Sequence, residues 1–270
     1  MQTRYYLRPK MFIEELLKID TLVFKPQDEL KKAKYNKIVI FKDGWQNIVL
    51  PNPPKNSSTQ TRAEINEIVK RYNTKTDEDK QEYINCDEDS SYYIKEVLQE
   101  NEMDYDESTI EMIEDQCRPV IRHFKNHYNR PRPYQIADKL GIDFSRFITD
   151  TAKTPSYPSG HTVQPYVVAN YYGKLYPEIK SELREAADIC AFGRVIAGLH
   201  YPSDYKAGII LADQLSEFIK FETMSEDAPL NSTGDAVQTN HPLMHSKSLY
   251  RRKNQNDTKR LYKLLKKRYN

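Results

Sequence analysis

The chain has 270 residues, of which 38% are hydrophobic and 30% are charged, and its formal net charge is +2. This composition suits one sizeable globular domain with polar extensions. The longest apolar stretch, around AGIILA, is far short of the roughly 20 residues that span a bilayer. Charges run through MQTRYYLRPKMFIEELLKID at the N-terminus, which excludes a secretory signal. We therefore expect a soluble, cytoplasmic protein.

Charge is distributed unevenly along the chain. Sixteen acidic residues stand against two lysines between Asp77 and Asp115, whereas Lys247–Asn270 holds ten basic residues and one acid. We interpret the basic tail first as a solvated segment, with contact to nucleic acid, an anionic membrane surface or another subunit as the alternative.

The three cysteines, Cys86, Cys117 and Cys190, are odd in number, and their spacing matches neither a metal site nor a disulfide framework. Reduced thiols in a cytosol-like compartment are the simplest interpretation.

The first 48 residues combine an amphipathic segment, MFIEELLKIDTLVF, with the β-leaning NKIVIFKDGWQNIVL. A proline-rich linker, PNPPKNSSTQT, follows, and Thr61 with Glu64 predicts a capping box for the next helix. Beyond Thr223 the chain is polar without periodicity and then basic. We divide it into an N-terminal extension, 1–48, a helical domain, 49–222, and a tail, 223–270.

Helical periodicity dominates the middle of the chain, and strand signals are nearly absent after residue 50. Apolar side chains recur at three- and four-residue steps from Glu107, although Pro119 should kink that helix or start a new one. A loop is predicted for 129–159. Further helices are predicted for 160–176, 179–197 and 203–221, so the domain should be all-α.

Three clusters of unusual residues lie near the ends of these predicted helices: KNHYNRPRP, PSGH and GRVIAGLHYPSD. Arginine forks and a lysine suit the oxygens of a multiply charged anion. A helix that begins behind Ser159 adds backbone N–H donors and the positive end of its dipole. Of two histidines, one neutral imidazole can attack phosphorus and one protonated imidazole can donate to the leaving oxygen. Asp204, four residues after His200, is placed to hold its far nitrogen.

The order of these motifs resembles a known superfamily. Lys-x6-Arg-Pro, Pro-Ser-Gly-His and Arg-x5-His-x3-Asp are typical of the type 2 phosphatidic acid phosphatase and vanadium haloperoxidase superfamily. The local sequences HYNRPRPY, SYPSGHT and GRVIAGLHYPSD are most similar to those of the soluble class A bacterial acid phosphatases. The resemblance extends over about residues 49–222. The resemblance implies a helical bundle of the acid phosphatase/vanadium haloperoxidase type. It also implies a metal-independent phosphomonoesterase that acts on a phosphorylated small molecule. Because related soluble enzymes often form homo-oligomers, it implies possible homo-oligomers here as well.

The resemblance also implies a role for each matching residue. His200 would be the nucleophile of a phosphohistidine mechanism, His161 would protonate the leaving alcohol and then activate water, and Asp204 would orient His200. The phosphoryl oxygens would be bound by a second set of residues, namely Lys125, Arg132, Ser159, Gly160 and Arg194. No metal or other cofactor is expected, and vanadate should bind as a phosphate mimic.

Some features depart from this pattern, and some alternatives stay open. Gly193 stands where the motif usually has serine. The additional basic residues Arg130 and Lys153 are interpreted first as solvated, with a position flanking the pocket as the alternative. A vanadium-dependent haloperoxidase uses the same pocket, a lipid phosphate phosphatase shares the motifs, and a non-catalytic binding protein shares the fold. The acidic stretch suggests that polyanionic substrates are disfavoured.

Overall fold

The computed structural model describes residues 13–26, 29 and 37–220. Its described helices, in chain order α1 to α9, are Ile13–Asp20, Thr59–Thr74, Asp77–Glu88, Tyr92–Glu100, Glu107–Tyr128, Pro133–Lys139, Gly160–Leu175, Lys180–Ile196 and Pro202–Ser216. No strand occurs within these ranges, so the prediction of an all-α domain is confirmed. The basic tail, 223–270, lies outside the described residues.

Helix α7 is the central helix of the bundle. Every residue from Thr162 to Gly173 is buried, and α5, α8 and α9 pack around it. Its sequence has no polar face, which is typical of a helix enclosed on all sides. Pro165 lies inside α7, one turn further in than expected, and cannot donate to the carbonyl of His161.

Helix α5 carries the first cationic motif to the centre of the molecule. Asp106 caps its start by accepting from the N–H groups of Ser108 and Thr109. The helix continues through Pro119, so no new helix starts there, and a kink stays a prediction. It ends at Asn129, which adopts a left-handed conformation with φ of 43°. Lys125 therefore lies in the last turn, with its side chain buried.

Two other local predictions are corrected by the structure. The β-leaning segment before residue 50 forms only one antiparallel bridge, Phe41 with Ile219, because its apolar side chains pack individually into the main core. The predicted loop, 129–159, contains α6, which starts with Pro133 at its first position. The boundary at residue 48 stays a prediction.

The cap of α2 also differs from the prediction. Ser58, three residues before Thr61, is the N-cap, and its hydroxyl accepts from the Thr61 N–H at 3.1 Å. Glu64 does not close a capping box. Its carboxylate instead accepts from the hydroxyl of Ser203 at 2.8 Å. Glu64 thus faces the third motif.

The prediction of three reduced thiols is wrong. Cys86 of α3 and Cys190 of α8 form a disulfide across 104 residues of sequence, and only Cys117 is free, fully enclosed in the core. A pairing over this distance leaves no local spacing signal. The disulfide removes one of the arguments for a cytoplasmic protein, that from reduced thiols, since such bonds persist mainly in oxidising compartments. None of the described helices has the length and apolar character that a membrane span requires.

We expect the disulfide to stabilise the fold substantially. Replacing both Cys86 and Cys190 with serine should lower the free energy of unfolding by about 2–5 kcal/mol, measured by denaturant titration. Thiol labelling provides the control. Unreduced protein in denaturant should show one reactive thiol and reduced protein three, and three thiols before reduction would contradict the pairing.

Candidate active site

The three predicted motifs meet at one cavity of about 170 Å³. Six of the eight predicted site residues line it: Lys125, Arg132, Gly160, His161, Arg194 and His200. Ser159 and Asp204 lie directly behind the wall, and both are fully buried. The cavity is therefore bounded by the last turn of α5, the starts of α6 and α7, and the ends of α8 and its following loop.

Lys125 and Arg132 are held in the wall by backbone carbonyls. The Lys125 ammonium donates to the carbonyl of Pro155. The Arg132 guanidinium donates to the carbonyls of Thr154 at 3.0 Å and Leu199 at 2.8 Å. Burial lowers the pKa of Arg132 to about 10, and burial together with the Arg132 charge lowers the pKa of Lys125 well below its usual value. Arg132 remains charged at neutral pH, and an anion between the two side chains would restore the pKa of Lys125.

Arg194 is anchored by a residue that the sequence did not single out. Asp87 of α3 forms an ion pair with the Arg194 guanidinium, which also donates to the hydroxyl of Thr151 at 2.7 Å. Burial raises the pKa of Asp87, but the Arg194 charge and hydrogen bonds outweigh burial and lower it. Arg194 Nε has no hydrogen-bond partner among the described residues. Part of its guanidinium therefore retains donor capacity at the cavity.

His200 has a tautomer that the surrounding groups determine. Its Nε2 lies 3.0 Å from Arg132 Nη1, and its Nδ1 lies 3.4 Å from Asp204 Oδ2. An arginine nitrogen can only donate, so Nε2 must be the acceptor and the ring proton resides on Nδ1, facing the carboxylate. Burial and the Arg132 charge lower the pKa of His200 well below its usual value. The ring therefore presents an unprotonated Nε2 at the cavity.

Asp204 is a buried carboxylate with several donors. The Tyr201 N–H donates to Oδ2 at 2.9 Å, and the Ser156 hydroxyl donates to the same oxygen. Arg130 Nη1 donates to Oδ1 at 2.6 Å. Burial alone would raise the pKa of Asp204, but Arg130 and these hydrogen bonds lower it far below its usual value. Asp204 is thus held as a carboxylate.

Arg130 is the main residue that sequence reasoning missed. It was interpreted as solvated, yet it is 3% exposed. Its guanidinium binds Asp204 and the Ser203 hydroxyl, lies 3.8 Å from the Tyr201 ring centroid, and is 3.5 Å from Glu64. A buried carboxylate needs a partner charge. This requirement of Asp204 is the signal that could have identified Arg130 in the sequence. Lys153, in contrast, is exposed, as expected.

His161 enters the cavity from the first turn of α7. Burial, followed by the charges of Arg194, His200, Lys125 and Arg132, lowers its pKa well below the usual value. The residue before this helix is Ser159, whose hydroxyl has no hydrogen-bond partner among the described residues. An unsatisfied buried hydroxyl at a helix start suits an oxyanion.

Gly193 leaves room for the serine that the motif usually carries. A Cβ built on Gly193 would find no atom within 4 Å. The glycine is therefore not required by close packing. No cluster of three or more His, Cys, Asp or Glu side chains suited to a metal ion occurs in the part of the chain that the structure describes.

Comparison with known proteins now identifies the domain. Residues 118–213, which hold all three motifs, match the family model described as the PAP2 superfamily. The chain carries a PAP2 superfamily domain. Its boundaries include every predicted site residue.

Two curated relatives match part of the chain. An acid phosphatase of Zymomonas mobilis subsp. mobilis is 34% identical over 92 residues, which is 34% of each chain. A non-specific acid phosphatase of Providencia stuartii is 33% identical over 104 residues, 37% of this chain and 40% of that protein. The matched segments therefore span less than half of either relative.

Solved structures support the fold. A bacterial vanadium-dependent iodoperoxidase aligns with a TM-score of 0.52 and 15% identity, covering 66% of this chain and 53% of its own. A holo-type bacterial vanadium-dependent chloroperoxidase aligns with a TM-score of 0.52 and 16% identity, covering 73% and 54%. At this identity the likeness shows a shared helical fold, which confirms the predicted bundle type.

Arg130→Gln should destabilise the protein by about 3–5 kcal/mol near neutral pH, because it leaves Asp204 as a buried charge without its partner. The depressed pKa of Asp204 contributes stability above its unfolded value of about 3.9 and loses it as pH falls below that value. The difference between wild type and variant should therefore shrink in acid. Urea unfolding at several pH values measures this difference.

The control for this experiment is Lys153→Gln. Lys153 pairs with Asp150 at 3.0 Å, but both side chains are mostly exposed. Such surface pairs contribute about 0–1 kcal/mol, so the control should unfold like wild type. Equal stability of the Arg130 and Lys153 variants would show that Arg130 does not support Asp204.

Proposed function

We propose that the PAP2 domain is a metal-independent phosphomonoesterase that works through a phosphohistidine on His200. One observation carries this proposal. The unprotonated Nε2 of His200 faces a cavity where Lys125, Arg132 and Arg194 supply positive charge. The names of the two acid phosphatase relatives support the reaction class.

The phosphoryl group would bind among the three cations. The arginine forks of Arg132 and Arg194 suit two phosphoryl oxygens, and Lys125 adds a point charge. The unpartnered Ser159 hydroxyl and the start of α7 at Gly160 supply further donors. These groups are fixed before the substrate arrives and stabilise the charge on the equatorial oxygens during transfer, which is the work that a metal ion does in other phosphatases.

In the first step, Arg132 Nη1 turns from Nε2 of His200 to a phosphoryl oxygen, and the freed Nε2 lone pair attacks phosphorus as the bond to the ester oxygen breaks. Protonated His161 donates to that oxygen, so the product leaves as a neutral alcohol. Asp204 accepts a hydrogen bond from the Nδ1–H group of His200 throughout, which stabilises the positive charge that develops on the ring.

In the second step, neutral His161 removes a proton from water, and the resulting hydroxide attacks the phosphohistidine. The P–N bond breaks, inorganic phosphate forms and His200 returns to its starting state. His161 then carries the proton that the next turnover requires.

The protonation of His161 is coupled to the substrate in this scheme. Burial and neighbouring cations hold its pKa low, whereas a phosphoryl group adds negative charge that raises it. A phosphomonoester monoanion also brings its own proton, because its second pKa is about 6. Activity should therefore be highest from acidic to neutral pH.

The division of labour between the two histidines can be tested with paired substrates. His161→Ala should lower kcat/KM for an alkyl phosphate by about 10²–10⁴-fold, because alkoxide departure needs a proton. The loss should be much smaller for p-nitrophenyl phosphate, whose leaving group is already stable as an anion. His200→Ala should abolish both activities. Wild type incubated with radiolabelled substrate should retain covalent phosphate after an alkaline quench, and His200→Ala should retain none. Rates are measured from pH 4 to 8.

Two results would contradict this scheme. Equal loss with both substrates in His161→Ala would remove its role as the acid. Full activity in His200→Ala would contradict a phosphohistidine on this residue, and absence of activity in wild type would favour the non-catalytic alternative. Dispersed lipid phosphate in the same panel tests the lipid phosphatase alternative.

A haloperoxidase is the second candidate, because the two solved structures with the same fold are vanadium-dependent enzymes. The donor set fits vanadate, which would contact Lys125, Arg132, Arg194 and Ser159, with His200 Nε2 as its nitrogen partner. Bound vanadate supplies peroxide activation for halide oxidation. The same residues would orient the oxyanion and neutralise its charge.

An assay with vanadate separates the two candidates. We expect vanadate to inhibit hydrolysis of p-nitrophenyl phosphate competitively, and a chelator to leave the rate unchanged. Vanadate, bromide and peroxide together should give no halogenation above the protein-free control. Halogenation that His200→Ala abolishes would favour the peroxidase, and loss of phosphatase activity with chelator would contradict metal independence.

A further inference from the structure

We propose that the preferred substrate carries a second anionic group, held by Arg122 and Arg118 at the mouth of the cavity. This inference rests on the proposed phosphatase function and names its substrate class. That class is small phosphorylated compounds with a carboxylate or a second phosphate on the leaving group. We refer to Arg118 and Arg122 as the arginine pair.

The arginine pair continues the cationic wall of the phosphoryl site along one helix. Arg118, Arg122 and Lys125 are spaced by four and three residues on α5, which places them on one face. All three line the cavity. Lys125 is 4% exposed, whereas Arg118 and Arg122 are exposed. Positive charge therefore runs from the buried end of the cavity to its opening.

The spacing sets the distance between the two anionic groups. At 1.5 Å of rise per residue, Arg122 and Arg118 lie about 4.5 and 10 Å along the helix axis from Lys125. The Arg122 charge contributes to the lowered pKa of Lys125, which shows that the two groups interact. A short carbon skeleton would span this distance.

Neither arginine is strongly neutralised by the protein itself. Arg122 forms no ion pair with any side chain in the described ranges. Arg118 pairs with Asp115 at 3.1 Å, but these side chains are 66% and 59% exposed, and such pairs exchange readily with other anions. Among the described residues, no carboxylate lines the cavity. The opening therefore has positive charge available for a ligand.

The rest of the lining describes the leaving group. Thr151, Thr154 and Gln164 are polar, and Ile121 is the one large aliphatic side chain among the described lining residues. No Phe, Tyr or Trp side chain in the described part of the chain lines the cavity, so the wall offers no large stacking surface for a nucleobase. A small polar leaving group fits this environment better than a nucleoside.

The charges around the cavity argue against the expectation that the acidic stretch disfavours polyanions. Asp87 of this stretch pairs with Arg194, and Asp115 forms an exposed pair with Arg118. The mouth is basic because α5 presents Arg118 and Arg122 there, beyond the end of the acidic stretch at Asp115.

The test compares matched substrates that differ in one anionic group: glycerol 3-phosphate against 3-phosphoglycerate, and 1,3-propanediol monophosphate against its bisphosphate. Wild type should show a KM lower by roughly tenfold for the member with the second anion, as expected for a charged hydrogen bond. Arg122→Gln and the double variant with Arg118→Gln should remove most of this preference. For the substrates that lack the second anionic group, the kcat of these variants should stay within about twofold of wild type.

Arg62→Gln is the matched control, since Arg62 is exposed on α2 and does not line the cavity. It should keep the full preference. Equal KM values for the paired substrates in wild type, or a preference that survives in the double variant, would overturn the inference.

A binding measurement separates this failure from failure of the proposed function. Calorimetric titration of His200→Ala with the propanediol monophosphate and bisphosphate needs no turnover. The arginine pair is supported if His200→Ala binds the bisphosphate more tightly than the monophosphate and if adding the two arginine substitutions removes this difference. This outcome counts even if no substrate is hydrolysed. Equal affinities overturn the inference even if the phosphatase activity is present.

Discussion

Repulsion among buried cations is the constraint on which this site depends. Lys125, Arg132 and Arg194 end at one small cavity, and all three are at most 4% exposed. Like charges at such burial repel strongly and lose hydration, so the fold must hold each one in place. The resulting arrangement is costly for the empty protein and favourable for a multiply charged anion.

The fold meets this constraint with anchors of two kinds. Lys125 and Arg132 donate to backbone carbonyls of the segment that precedes α7, whereas Arg194 pairs with Asp87. Behind His200, Asp204 and Arg130 form a second, separate ion pair. One pair therefore fixes a cation, and the other fixes the carboxylate that orients the imidazole. Removing either counterion would leave a buried charge without compensation.

The sequence predicted the helices around the site and most of the residues that line the cavity. The helices around the motifs were predicted within a few residues, because α8 and α5 show clear apolar periodicity. The motifs predicted which side chains share the cavity. Helix α7 was also predicted, although no polar face marked it, because Ser159 and Gly160 gave a start signal.

The sequence failed where partners lie far apart in the chain. Arg130 and Asp204 are separated by 74 residues, and Asp87 and Arg194 by 107, so neither pair has a local pattern. The sequence does not distinguish a buried arginine from a solvated one. The difference depends on where the fold places the partner carboxylate. Two local features were also missed: Ser58, whose capping role was assigned to Thr61, and the short helix after Arg132.

The position of the disulfide has a consequence for the unfolded chain. The covalent loop closed by Cys86 and Cys190 encloses Lys125, Arg132 and His161, and Arg194 follows only four residues beyond it. In the oxidised protein the two halves of the anion site thus stay tethered even after every helix has melted. The entropy of bringing these halves together is removed in advance, so oxidation state sets how far apart the parts of the site can drift.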